Sequence, residues 1–71
     1  MRTQDEAFQT YLRGEVENAG KRYDAAVERV FDVLDEERPG PVLAGAVEAL
    51  SENLRLYSGA IQRMTQFVAH H

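Results

Sequence analysis

Residues 36–43 read Glu-Glu-Arg-Pro-Gly-Pro-Val-Leu, and this stretch decides the fold. Pro39 disfavours helical dihedral angles at Arg38, so a helix that precedes it ends there. Gly40 is free to form the turn, and Pro41 suits the first position of a new helix, where a backbone N–H would have no partner anyway. The stretch therefore predicts a tight turn between two helices.

The first helix has a start signal of its own in Thr3-Gln4-Asp5-Glu6, which fits a capping box. In this motif the Thr3 hydroxyl accepts a hydrogen bond from the Glu6 backbone N–H, and the Glu6 side chain bonds back. We predict helix 1 over about residues 4–37, a turn at 38–41 and helix 2 over about 41–69. The 71 residues match the length of one small domain, so residues 1–71 are expected to form a single helical-hairpin domain.

Apolar residues follow alternating steps of four and three along both predicted helices, a spacing typical of helices that pack nearly parallel. In helix 1 the row is Leu12, Val16, Ala19, Tyr23, Ala26, Val30 and Val33. In helix 2 the row is Leu43, Val47, Leu50, Leu54, Tyr57, Ile61, Met64 and Val68. Because the connection is short, the two helices must run antiparallel. The predicted fold class is all-α, a two-helix antiparallel hairpin of the coiled-coil type.

The two rows also predict a register for the hairpin. Their members pair in reverse order, from Val33 with Val47 at the turn to Leu12 with Val68 at the other end. In this register Tyr23 faces Tyr57. Several pairs match a small residue with a large one, as a close-packed core requires.

Helix 2 carries more apolar surface than one neighbour can cover, because a second apolar row runs beside the first. Residues 39–71 hold two acidic and two basic side chains, whereas residues 1–38 hold ten and six, so the net charge of −4 lies in the first half. We therefore expect two hairpins to associate into a four-helix bundle, as a homodimer or a higher oligomer. Phe31, on the outer side of helix 1, joins the second row as a predicted contact. The predicted interaction residues are Phe31, Val42, Ala46, Ala49, Leu56, Ala60 and Phe67.

The sequence gives no sign of catalytic chemistry. It has no cysteine, no glycine-rich phosphate loop and no nucleophile beside a base, so we expect no enzyme, no cofactor and no metal. Asp24, Glu28 and Asp32 recur every four residues on helix 1, but helical metal sites use inward glutamates with a Glu-x-x-His spacing, which is missing here. His70 and His71 are the natural end of the chain or the start of a purification tag.

Charge and hydropathy exclude two classes of partner. Basic residues are interleaved with carboxylates throughout, so a phosphate backbone is not an expected ligand. No apolar stretch approaches the roughly 20 residues that span a bilayer. The first residues lack the pattern of a signal sequence, so a cytoplasmic location is expected. Seven arginines against one lysine are typical of a genome rich in G and C, here taken as bacterial.

Four carboxylates crowd the end of helix 1, where the helix dipole disfavours negative charge. They are Asp32, Asp35, Glu36 and Glu37. One interpretation is an acidic patch that binds a basic partner. The other is that the positive N-terminus of helix 2, brought alongside by the turn, offsets their cost.

The expected function is a small non-enzymatic interaction module that acts as an adaptor, a regulator or a small chaperone through the apolar face of helix 2. An alternative comes from a resemblance. Pro39-Gly40-Pro41 followed by Val42-Leu43-Ala44, and then Leu50-Ser51-Glu52 and Leu56-Tyr57, is similar to the second half of the needle subunits of bacterial type III secretion. That resemblance implies a filament subunit that polymerises head to tail through its C-terminal helix, or an export chaperone that masks such a helix.

Overall fold

The computed structural model describes residues 3–37 and 39–69, which form two helices, α1 (Thr3–Asp35) and α2 (Gly40–Ala69). The helices pack against each other as an antiparallel hairpin, which confirms the predicted all-α hairpin, whereas the four-helix bundle stays a prediction. The molecule is a rod of 56 × 14 × 12 Å. We call the end that holds the connection the turn end, and the end where α1 begins and α2 finishes the open end.

The turn is made by a residue other than the predicted one. Glu37 adopts a positive φ of 53°, whereas Gly40 has no positive φ and is the first residue of α2. The Glu37 N–H donates to the Leu34 carbonyl at 3.2 Å, which closes the last turn of α1. The Pro39 carbonyl accepts from the Val42 N–H at 3.0 Å and so starts α2. The left-handed position that ends a helix is usually filled by glycine, and here it is filled by a glutamate.

Some predicted features lie outside the described residues. The capping box depends on the Thr3 side chain, and the turn argument includes Arg38; neither is described. His70 and His71 are likewise outside the described part of the chain. The predictions that rest on them stay predictions.

The core between the helices is built mainly from alanine. Its buried members are Leu12, Ala19, Ala26, Val33, Ala46 and Ala60. On α1 these residues alternate with the half-buried Val16, Tyr23 and Val30, so the predicted row of helix 1 is the row that faces α2. Four alanines among the six buried residues of segments 3–37 and 39–69 let the two backbones approach closely, but they bury little apolar side-chain surface.

The predicted row of helix 2 is wrong at every second position. Its members Leu43, Leu50, Tyr57 and Met64 are half-buried as expected, but Val47, Leu54, Ile61 and Val68 are exposed. In each case the residue that precedes the exposed one is buried or half-buried instead. These residues are Ala46, Asn53, Ala60 and Phe67. One residue is about 100° around a helix, so α2 turns a different edge toward α1 than the one predicted. The physical reason is size, because Ala46 and Ala60 permit a closer helix approach than Val47 and Ile61 would.

Candidate functional site

A row of large apolar side chains lies exposed along α2. Val47, Leu54, Ile61 and Val68 follow one another at intervals of seven residues, and each is between 42% and 56% exposed. Residues spaced by seven share one face of a helix that packs in coiled-coil fashion. We call these four residues the stripe. A row of exposed large apolar side chains of this kind is a candidate interaction surface.

The stripe borders a groove at the open end of the hairpin. The groove has a volume of about 430 Å³, and α1 contributes one residue to it, Val16. From α2 it is lined by Ile61, Met64, Thr65, Val68 and Ala69. None of these residues is charged, so the groove is suited to apolar side chains.

The α1 edge beside the groove is also apolar. Val16, Tyr23 and Val30 are spaced by seven and all half-buried, so they share the edge that Val16 defines. Leu34 follows Val30 by one turn and is 51% exposed. We call this whole surface, the stripe together with Val16, Val30 and Leu34, the side face. It runs along the rod from the turn end to the open end.

The opposite side of the hairpin has different chemistry. A depression of about 290 Å³ there is lined by Glu15, Asn18, Ala19, Arg22, Leu56, Ala60 and Arg63. Tyr11 lies nearby, and its hydroxyl donates a hydrogen bond to the Glu15 carboxylate. This bond, together with the negative charge of Glu15, raises the pKa of Tyr11 above its ordinary value. The hairpin thus has one apolar and one polar side.

The structure divides the predicted interaction residues into two groups. Ala46 and Ala60 are only 7% and 2% exposed because they lie between α1 and α2, so the hairpin itself occupies the surface assigned to a partner. Phe67 is half-buried and packs on Phe8 of α1, with ring centroids 5.1 Å apart. The remaining residues keep accessible surface: Phe31, Val42, Ala49 and Leu56. Of these, Phe31 is exposed on α1 as predicted, at 59%.

Phe8 also lies near Tyr11, with ring centroids 6.2 Å apart, so an aromatic cluster ties the two helices together at the open end. Aromatic pairs at such distances add to the stability that burial alone provides. Phe67 therefore contacts α1 within the chain, and its predicted contact with a partner stays a prediction.

No charged side chain among the described residues is buried. Arg55 donates a hydrogen bond to Glu52 at 2.6 Å in an exposed ion pair, which contributes little to stability. Asp24, Glu28 and Asp32 are exposed, and no group of three or more potential ligands within residues 3–37 and 39–69 is placed to hold a metal ion. Neither described helix has a segment of the length and apolar character needed to cross a membrane.

The acidic end of α1 is exposed at all four positions, Asp32, Asp35, Glu36 and Glu37. The first residues of α2 follow directly after the turn. Both interpretations of this cluster stay predictions.

Comparison with known proteins gives no relative: no family model, no curated protein and no solved structure matches the chain.

Sequence reasoning missed the side face because it placed the stripe in the core. A signal for the observed arrangement is present in the sequence. Positions 46, 53, 60 and 67 are spaced by seven residues, as the stripe residues are, and two of these positions are alanine. A row with small residues lets two helices approach closely. Such a row can therefore face the neighbouring helix in place of a row of larger residues.

Proposed function

We propose that this chain is a non-enzymatic protein interaction module that associates with itself, and that the side face is the surface it uses. As an assembled unit it would act as an adaptor, a regulator or a small chaperone in the cytoplasm. The exposed stripe is the observation that carries the proposal. Val47, Leu54, Ile61 and Val68 continue for about six turns with coiled-coil spacing, which fits another helix laid along them.

The amount of exposed surface supports association. The chain exposes 5609 Å². A compact monomer of 8.0 kDa would expose only about 4,500 Å². The excess exposed surface is about 1,100 Å². Each partner in a standard interface buries about 800 Å², which is less than this excess. A second chain on the side face would bring the surface of each hairpin into the range of ordinary globular proteins.

The residue composition of the core supports the same proposal. Four of the six buried residues in the described part of the chain are alanines, and most of the large apolar side chains there are only half-buried or are exposed. A chain of this size rarely gains more than about 3 to 5 kcal/mol from its own core. Covering the stripe would add the apolar burial that an alanine core does not provide.

The alternative is a filament subunit, or an export chaperone for one. Its support is the apolar groove at one end of the side face and the exposed apolar side chains of Leu34 and Val47 toward the other end. Complementary features on two ends of one molecule can join heterologously, and such contacts grow without limit when they do not close.

Sedimentation equilibrium over a wide concentration range tests the proposal. We expect a single transition from the 8.0 kDa chain to a closed species of twice that mass. Leu54 and Leu56 provide a matched pair of variants, because they are the same residue type, two positions apart, and 46% and 47% exposed. Leu54→Glu, on the stripe, should raise the dissociation constant at least about tenfold, since a buried charge replaces an interface anchor. Leu56→Glu, on the polar side, should leave it unchanged.

The other results have distinct meanings. Circular dichroism must show equal helix content in both variants, so that only assembly is compared. Dissociation by Leu56→Glu instead of Leu54→Glu would place the interface on the second apolar row and contradict the role of the side face. Mass that grows without limit would favour the filament alternative. A folded monomer at every concentration would overturn the proposal.

A further inference from the structure

We infer that the second copy binds the side face in the antiparallel orientation, so that the turn end of each hairpin fills the apolar groove at the open end of the other. This inference rests on the proposed function and adds the identity and direction of the occupant. Two independent observations carry it, the uneven shape of the side face and the uneven charge along the rod.

The side face differs between its two ends. The apolar groove beside Val16 and Val68 is at the open end, whereas the turn end presents two large apolar side chains, Leu34 and Val47, that are 51% and 44% exposed. A parallel pair would set groove against groove and leave an apolar void, which close-packed interfaces avoid. An antiparallel pair related by a two-fold axis fills both grooves at once.

In the antiparallel arrangement, the stripe of one copy also packs against the stripe of the second copy. A two-fold axis across the middle of the rod places α2 of one copy over α2 of the other. The stripe residues then meet in reverse order, Val47 of one copy with Val68 of the second, and Leu54 of one copy with Ile61 of the second. A two-fold axis along the rod would instead place α2 over α1 of the second copy, with Val47 near Leu34.

The distribution of charge along the rod also favours the antiparallel pair over the parallel pair. Residues 28–48, which surround the turn end, contain six acidic and two basic side chains, a net charge of −4. The rest of the sequence contains six of each and is neutral. A parallel pair would bring the two −4 ends together, whereas an antiparallel pair sets each beside a neutral end. The rod is 56 Å long and the screening length near physiological salt is about 8 Å, so charges at opposite ends do not interact.

The chain has no cysteine, so single cysteines introduced in separate variants can report the orientation directly. Val47→Cys is mixed with Val68→Cys in one sample and with Leu34→Cys in the other. Both samples are oxidised with glutathione disulfide and analysed by mass spectrometry. Cα atoms must come within about 7 Å for a disulfide to form, and residues 47 and 68 of one helix are about 32 Å apart.

We expect the covalent mixed dimer of Val47→Cys with Val68→Cys to form at least about tenfold faster than that of Val47→Cys with Leu34→Cys, since only the first pair meets the distance limit. The reverse preference would show a parallel pair and overturn this inference while leaving self-association intact. Equal, slow formation in both samples from a protein that sediments as a dimer would place the interface elsewhere and overturn it as well. A wild-type protein that sediments as a monomer would overturn the proposed function itself.

Discussion

The rings of Tyr23 and Tyr57 stack between the two helices, with centroids 5.8 Å apart and planes inclined by 30°. This contact matches the register that the sequence predicts for the middle of the hairpin. Gly20 lies against the same tyrosine, because a Cβ atom built there would be 3.4 Å from the Tyr57 ring. The middle of the rod is therefore held by an aromatic pair beside a residue without a side chain.

This arrangement predicts different effects for two glycines of α1. A Cβ at Gly14 would meet no atom of the described structure within 4 Å, so Gly14→Ala should gain the full helix preference of alanine, about 1 kcal/mol. For a chain of this size, that corresponds to a rise in melting temperature of about 4 to 8 °C. Gly20→Ala should gain less, because its methyl group would lie 3.4 Å from the Tyr57 ring, at the near limit of ordinary van der Waals contact. Thermal unfolding at one fixed protein concentration compares them, and an equal gain at both positions would show that the tyrosine moves without cost.

The turn predicts a stabilising substitution at Glu37. A left-handed conformation costs a residue with a Cβ about 1 to 2 kcal/mol, and glycine avoids this cost. Glu37→Gly should therefore be more stable than Glu37→Ala by about 1 kcal/mol. Both variants remove the same charge, so their difference isolates the backbone. Urea unfolding measures it, and two variants of equal stability would contradict the positive φ of 53° at this position.

The alanine core predicts sensitivity to larger side chains. Ala60 is 2% exposed between the helices, so Ala60→Leu should force them apart and destabilise the hairpin by about 1 to 3 kcal/mol. Ala49 is exposed on the same helix, and Ala49→Leu is the matched control, expected to lie within about 0.5 kcal/mol of the wild type. Chemical unfolding at matched concentrations gives both values. A tolerant Ala60 would mean that the helices are not closely packed there.

Tyr11 predicts a pH effect at the open end. The hydrogen bond to Glu15 favours the neutral phenol and raises the pKa of Tyr11, so the bond contributes stability below the ordinary tyrosine pKa of about 10. That contribution is lost as the pH rises through the higher pKa of the folded state. Glu15→Gln should lower the pKa of Tyr11 toward its ordinary value. Carbon-13 NMR of the Tyr11 ring follows this titration, and an unchanged midpoint in the variant would show that Glu15 does not hold the hydroxyl.

The hairpin could be predicted from the sequence because its signals are local. Pro39 and Pro41 mark a turn by backbone geometry alone. On α1, the apolar row with alternating steps of four and three is the row that faces α2. The edge of α2 that faces α1 could not be predicted in the same way. Leu43 and Leu50 belong equally to the row that continues through Val47 and to the row that continues through Ala46.

The choice between those two rows depends on how closely the backbones approach, which is a property of both helices together. Asn53 belongs to the observed row, although a polar side chain in a core is costly. The structure resolves this cost, because the Asn53 side chain donates a hydrogen bond to the Ala49 carbonyl at 2.8 Å and remains only half-buried. The candidate site followed from this rotation, so it could not be located before the helix packing was known.

The placement of the net charge at one tip of a 56 Å rod gives the molecule an electric dipole along its length. The dipoles of the two antiparallel helices largely cancel, so the side chains determine it. Two rods that drift together side by side would be turned toward opposite directions before they touch. Salt shortens the range of this torque, so it would alter the rate of encounter more than the lifetime of the pair. The charges would thus govern how fast copies meet in a usable orientation, and the apolar stripe how long they stay together.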